Sequence, residues 1–234
     1  MYNQLGVTMK KKLVLLFAAT VLCSTIVTSQ IKFGIQVTGA NLDIGKQLGI
    51  SGATKPGPPT NAVVGFELVD IYSLGYGGGV HLDINLPVLF SFRVEGDYVT
   101  FTPNETKYRD ILKGILPQLD REKWLVEGGR INAWTVFANV KLSPLPIPVI
   151  TPYATGGIGL ANIGRSEATL KYDGTEVTRI AGTDATTNTS ANAGVGVDIG
   201  LGAVNLFAEV RLTWIFTEGG ATSMLPLGTI GLTF

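Results

Sequence analysis

Six residues carry most of the chemistry available to this chain: His81, Asp83, Arg93, Glu95, Glu209 and Arg211. They come in pairs two positions apart, His81 with Asp83, Arg93 with Glu95, Glu209 with Arg211. Carboxylates beside an imidazole are the parts of a general acid–base pair, and a hydroxyl activated by such a base would be a nucleophile. The rest of the inventory does not complete a site. His81 is the only histidine and Cys23 the only cysteine, so no His cluster at metal-ligand spacing and no thiol relay is available. The Gly-rich run Gly75 to Gly79 is followed by alternating residues, whereas a phosphate-cradling loop opens a helix. No catalytic, metal-binding or cofactor-binding residue is therefore expected. The same six charges fit ion pairing, because acids and bases alternate along each run.

The elements that position them follow from periodicity. From Val80 the apolar residues Val80, Leu82, Ile84 and Leu86 alternate with His81, Asp83 and Asn85. Past Pro87, Phe90, Phe92, Val94 and Tyr98 alternate with Ser91, Arg93, Glu95 and Asp97. A period of two means extended strands with opposed faces, here a β-hairpin with one greasy and one charged face. Pairing Leu86 with Phe90 keeps the faces matched and sets Asp83 opposite Arg93 and His81 opposite Glu95.

Composition says which face meets which medium. Lys plus Arg equals Asp plus Glu at 18 each, so no nucleic-acid partner is expected. Thirty glycines with only 15% charged residues suit closely spaced strands and tight turns. Mean hydropathy is +0.31, high for a soluble domain, yet beyond the N-terminus no apolar run reaches the ~18 residues a spanning helix needs. At the N-terminus Lys10, Lys11 and Lys12 precede the apolar run Leu13 to Val27 and the small residues Val27-Thr28-Ser29, the order of a secretory signal over residues 1–29. Met9 is then the natural start. The mature chain would hold 15 basic residues against 18 acidic ones and no cysteine.

Eight strands are expected in residues 30–234. The first spans Ile31 to Leu42, the opening hairpin supplies two, and Arg130 to Leu142 and Ile150 to Ile163 follow. Thr189 to Leu201 and Val204 to Phe216 are joined by Gly202-Ala203, a two-residue turn with Gly first. Leu225 to Phe234 is last. Loops over about 43–75, 102–129 and 164–188 are long, and the connections between them are short. The 102–129 loop carries a helical spacing at Ile111, Leu112, Ile115 and Leu119, and the 164–188 loop a small hairpin turning at Asp173-Gly174. Short turns on one side and long loops on the other are the habit of outer-membrane barrels, with short turns periplasmic. The fold class expected is all-β, an eight-stranded antiparallel up-and-down transmembrane barrel. Phe90, Phe92 and Phe234 project to one boundary of the apolar band, and Tyr98, Trp134, Trp214 and Phe216 to the other, as two aromatic girdles would.

The signal segment, YGGGVHLDINLP, PYATGGIGLANIG and the terminal GTIGLTF together resemble the eight-stranded outer-membrane β-barrel family that includes the OmpA transmembrane domain and OmpX. The resemblance runs over essentially the whole mature chain. It implies a bacterial outer-membrane location with both termini in the periplasm. Ile230, Leu232 and Phe234 would form the signal read by the barrel-assembly machinery. The chain departs from full-length OmpA-type proteins in ending at the barrel, so a cell-wall tether is not expected.

A barrel of eight strands is just wide enough for side chains to fill. The inward set, Lys32, Gln36, Asn85, Asp97, Asn139, Lys141 and Asp198 with the six residues above, would form a satisfied plug. Alternatively, the pairs exchange partners in a gated narrow pore. A lipid-acting enzyme is a third reading, weakened because His81 would lie too deep for lipid substrates. The expected protein is a non-enzymatic monomer in outer-membrane lipid, with a structural, adhesive or surface-interaction role. Its loops would meet any extracellular partner.

Overall fold

The computed structural model describes residues 30–41, 72–86, 89–115, 120–144, 149–217 and 222–234. The leader expected over 1–29, nearly all of the first long loop, Pro87, Leu119 and the 145–148 turn lie outside them.

The strands are β1 (Gln30–Ala40), β2 (Gly75–Asn85), β3 (Phe90–Phe101), β4 (Trp124–Gly128), β5 (Ile131–Leu142), β6 (Ile150–Arg165), β7 (Ala168–Tyr172), β8 (Thr175–Ile180), β9 (Thr183–Gly200), β10 (Asn205–Phe216) and β11 (Thr222–Thr233). Among the described residues an α-helix, α1 (Glu105–Ile115), follows β3, and a single 3-10 turn (Arg121–Lys123) leads into β4. Asn104 caps it, its side-chain oxygen accepting from Lys107 N–H at 3.1 Å. Eight strands close into an antiparallel barrel in the order β1-β11-β10-β9-β6-β5-β3-β2. The remaining three form a separate sheet, β4-β7-β8.

Register follows the alternation. Asp83 pairs with Arg93 and His81 with Glu95, and Leu86 N–H donates to Phe90 O at 3.2 Å. The β9–β10 turn closes with Leu201 N–H on Val204 O, and Gly202 takes the positive φ of 89° that the first turn position demands. Following paired positions around the wall leads from Gln30 through Asn85, Ser91, Lys141, Thr155, Gly194 and Arg211 to Leu227. Leu227 pairs with Ala40, so the ladder closes ten residues from its start at Gln30. A stagger of ten over eight strands tilts them by about 40° and gives a wall radius of about 8 Å. One layer of side chains fills that bore.

Two boundaries differ from expectation. The sixth barrel strand starts at Thr183 and the eighth at Thr222, both earlier than the apolar runs suggest. There the strands leave the apolar belt, so polar residues such as Thr183, Asp184 and Thr186 stand exposed on a ladder that continues. The facing of β6, unassigned by its Gly-rich sequence, is now fixed: Tyr153, Thr155, Ala161 and Ile163 point inward and are buried, while Ile158 and Leu160 are exposed.

The small sheet is the barrel wall folded over. The β5–β6 ladder ends at Ile131–Arg165. Ser166 N–H then donates to Arg130 O and Gly129 N–H to Glu167 O, and β4–β7 pairing resumes at Gly128–Ala168. The bend falls at Gly128 and Gly129, both left-handed with φ of 79° and 70°. A Cβ at Gly128 would run into the Glu167 carbonyl oxygen, so only glycine makes this crease. Beyond it, β7 and β8 turn through Asp173 and Gly174, both with positive φ. Trp124, Val126, Leu170 and Tyr172 all lie on one face of this sheet and pack toward the barrel mouth. The sheet and α1 form a cap.

Candidate functional site

The lumen is filled in two tiers of opposite chemistry. The tier toward the short turns is ionic. Arg93 grips Asp83 with both fork nitrogens, Nε to Oδ1 at 2.6 Å and Nη2 to Oδ2 at 2.9 Å, and reaches Glu209 Oε2 with Nη1 at 3.5 Å. Arg211 pairs with Glu95 through Nη1, donates to Asp97 Oδ2 from Nη2 at 3.1 Å, and faces Glu209 Oε1 at 3.7 Å. Both arginines are 2% exposed. Charges held so far from water need every remaining lone pair satisfied, and neutral donors supply most of this. Asn139 donates to Glu95, Gln36 and Thr38 to Asp97, and the Tyr153 hydroxyl to Glu209 at 2.9 Å. Lys141 donates to Asp198 Oδ2 at 2.6 Å and lies over the Tyr153 ring.

His81 stands apart from the ionic pattern expected of it. Its register partner is Glu95, but Nδ1 donates to Gln36 Oε1 and Nε2 lies 3.0 Å from the Thr233 hydroxyl. Its ring meets Phe207 edge-on at 5.1 Å. Among the described residues His81 enters no ion pair and works as a hydrogen-bonded strut between β2, β1 and β11. Of the other inward positions, Gln36, Asp97, Asn139 and Lys141 are buried, while Lys32, Asn85 and Asp198 are half-buried. Tyr153, Phe137 and Phe207 complete this tier and were not among the residues singled out from sequence. Their inward parity was the available signal. Phe137 and Phe207 lie under Arg211 and Arg93 at 5.7 and 4.9 Å, a cation over each ring.

Toward the long loops the inward face turns apolar. Val99, Phe101, Ile131, Ala161, Ile215 and Leu225 are each no more than 3% exposed. They form one cluster with Tyr72, Tyr108 and Trp124 of the cap. The cap is fastened at its crease: the Tyr72 hydroxyl donates to Gly129 O at 2.5 Å, and Lys107 Nζ to Tyr72 O at 3.0 Å. Arg109 Nε donates to Trp124 O, tying α1 to β4. Among the described residues several cap charges pair within it, Arg109 with Glu105 and Glu122, Lys123 with Asp173, Lys171 with Glu127, Arg179 with Glu167 and Glu176.

Burial pushes the Tyr72 hydroxyl up to about 12, the nearby Arg165 charge opposing it, and burial also raises Tyr108. A phenol whose folded value exceeds its unfolded 10.0 stabilises closure fully below pH 10 and loses that contribution as pH rises toward 12. Cap protection against proteolysis is therefore expected to fall across pH 10–12, and Tyr72→Phe to remove most of that pH step. An identical slope in the variant would dissociate Tyr72 from the latch.

The outer surface carries the expected apolar residues. Phe90, Phe92, Tyr98, Trp134, Phe216 and Phe234 are between 40% and 52% exposed, and Trp214 is half-buried. Phe90 and Tyr98, eight residues apart on β3, are separated by about 20 Å along the axis at a tilt of about 40°. Ile230 is exposed and Leu232 half-buried on the same face of β11. Among the described residues no group of three or more metal-ligating side chains occurs.

No protein-family model and no curated protein sequence matches the chain. Solved structures do. Neisserial surface protein A aligns over 87% of this chain and 95% of its own with a TM-score of 0.51 at 11% identity. A major outer membrane protein from Thermus thermophilus aligns over 87% and 98% with 0.47 at 12% identity. The N-terminal β-barrel domain of Pseudomonas aeruginosa OprF gives 88% and 99% with 0.43 at 13% identity. The closed barrel and the first of these likenesses establish the fold: this chain is an eight-stranded barrel of the outer-membrane type.

Proposed function

We propose that this chain is an integral outer-membrane protein, its termini periplasmic, whose lumen is sealed and whose cap is displayed at the cell surface in a structural, adhesive or surface-interaction role. The observation that carries the reading is the pair of unlike seals in series. An ion entering from the short turns meets buried guanidinium–carboxylate pairs, and behind them an apolar tier. A solute entering from the long loops meets the cap first. A filled bore also gives a substrate no approach to the buried carboxylates, which supports a non-enzymatic role. The outward Ile230, Leu232 and Phe234 favour recognition of the last strand by the barrel-assembly machinery.

Planar-bilayer recordings test the seal. Purified barrel is expected to insert without stable conductance. A steady current abolished by Arg93→Ala or Glu209→Ala would instead establish a pore built on these residues.

A further inference from the structure

β8 is the free margin of the cap sheet, and all but its last residue are exposed. Its edge is phased in an unusual way. Leu170 pairs with Thr178 but Lys171 with Glu176, so Val177 is an extra residue that shifts the register. Glu176 and Arg179 therefore face Lys171 and Thr169, positions two apart on β7, and so share one face of the sheet. Their ion pair at 3.2 Å agrees. The ladder also fixes where their backbone groups point. Gly129 N–H donates to Glu167 O and Asp173 N–H to Lys123 O, so the odd positions of β7 bond toward β4. Thr169 and Lys171 follow the same period, so their partners Arg179 and Glu176 turn their N–H and C=O groups outward to the open edge.

An edge so phased is complementary to itself. Laid antiparallel about a two-fold axis normal to the sheet, two β8 strands set Glu176 of each copy against Arg179 of the other. Both residues present outward backbone groups, so each pair can exchange two hydrogen bonds, and the acid and base lie side by side. Without the extra Val177 the two positions would fall on opposite faces and the match would fail. The axis direction is also correct for two copies in one membrane. One face of the sheet packs on the apolar cluster beneath it, so an axis normal to the sheet leaves both copies with that face turned the same way. Thr175 and Thr178, on the underside, are exposed, so β8 overhangs the rim instead of covering the lumen.

We propose that two copies of this chain join through the β8 edges of their caps, side by side in one membrane. Confinement to the bilayer lets a contact this short operate, because it raises the effective concentration of copies. The proposal rests on the membrane-embedded reading and revises the expected monomer. The test uses full-length protein in lipid vesicles, with Val177→Cys in a Cys23→Ser background and a short bis-maleimide. Dimer is expected from this parent, and about fivefold less when Glu176→Arg or Arg179→Glu is added alone. Mixing the two charge-reversed proteins is expected to restore it, because opposite charges then meet between copies while each chain keeps its own repulsion. No dimer in the parent, indifference to the reversals, or failure of the mixture to recover would each overturn the pairing. The heat-dependent gel shift of the same samples reports barrel folding separately, so loss of the membrane reading is recognisable on its own.

Discussion

Arg211→Ala is expected to lower the urea unfolding free energy of the barrel by about 3–5 kcal/mol, the range for stripping one partner from a buried ionic cluster. The cost arises mainly in what remains. Glu95 and Asp97 would lose their guanidinium in a bore about 16 Å wide, and Glu209 would keep only Arg93, which is also paired with Asp83. Pairing Arg211→Met with Glu95→Leu removes a cation and an anion together and should recover at least about 1 kcal/mol of the loss. Tryptophan emission during urea titration in detergent micelles reads both values. A loss below about 1 kcal/mol for the single variant would mean the cluster is solvated, and the sealed lumen would have to be abandoned.

Phe101→Ala should cost a similar amount, about 3–5 kcal/mol, by a different route. Its ring is fully buried in the apolar tier and lies against Gly75, where a Cβ would collide with it. Truncation leaves a hole beneath the cap that β2 and β3, locked in register, cannot close. The cap rests on this tier, so faster cleavage within 102–129 is expected alongside the lost stability. Tyr98→Ala, three residues earlier on the lipid-facing side, is the control: it opens no internal cavity and should cost less than half as much. Equal losses would place the stabilisation at the lipid boundary and not in the lumen.

How far these residues could be read from sequence depends on where alternation holds. In the half of β2 and β3 near the short turns, polar and apolar positions alternate strictly, and a one-residue slip would drive Asp83 and Arg93 into lipid. Register there was legible down to individual pairs. In the other half both faces are greasy. Tyr98-Val99, Trp214-Ile215 and Met224-Leu225 are adjacent apolar pairs, one member outward and one inward. Period-two reading sees these as noise at a strand end, yet they are the signature of the apolar tier. The β7–β8 hairpin announced itself through Asp173-Gly174, whereas β4 did not. WLVEG is too short to show a period, and it pairs with a segment over forty residues away that only the crease at Gly128 and Gly129 brings near. His81 shows the remaining limit. Register put it beside Glu95, but side-chain direction gave its nitrogens to Gln36 and Thr233.

The two guanidinium groups also have a mechanical meaning. β3 and β10 stand on opposite sides of the ring, four strands apart in either direction. Arg93 to Glu209 and Arg211 to Glu95 and Asp97 are thus spokes across a hoop, tying its opposite walls together. They span 114 and 116 residues of sequence, so neither can form until the last strands have swung home. Contacts made that late strengthen the finished ring without hastening its closure. A barrel braced in this way is expected to unfold slowly for its equilibrium stability, because such contacts slow opening without speeding closure.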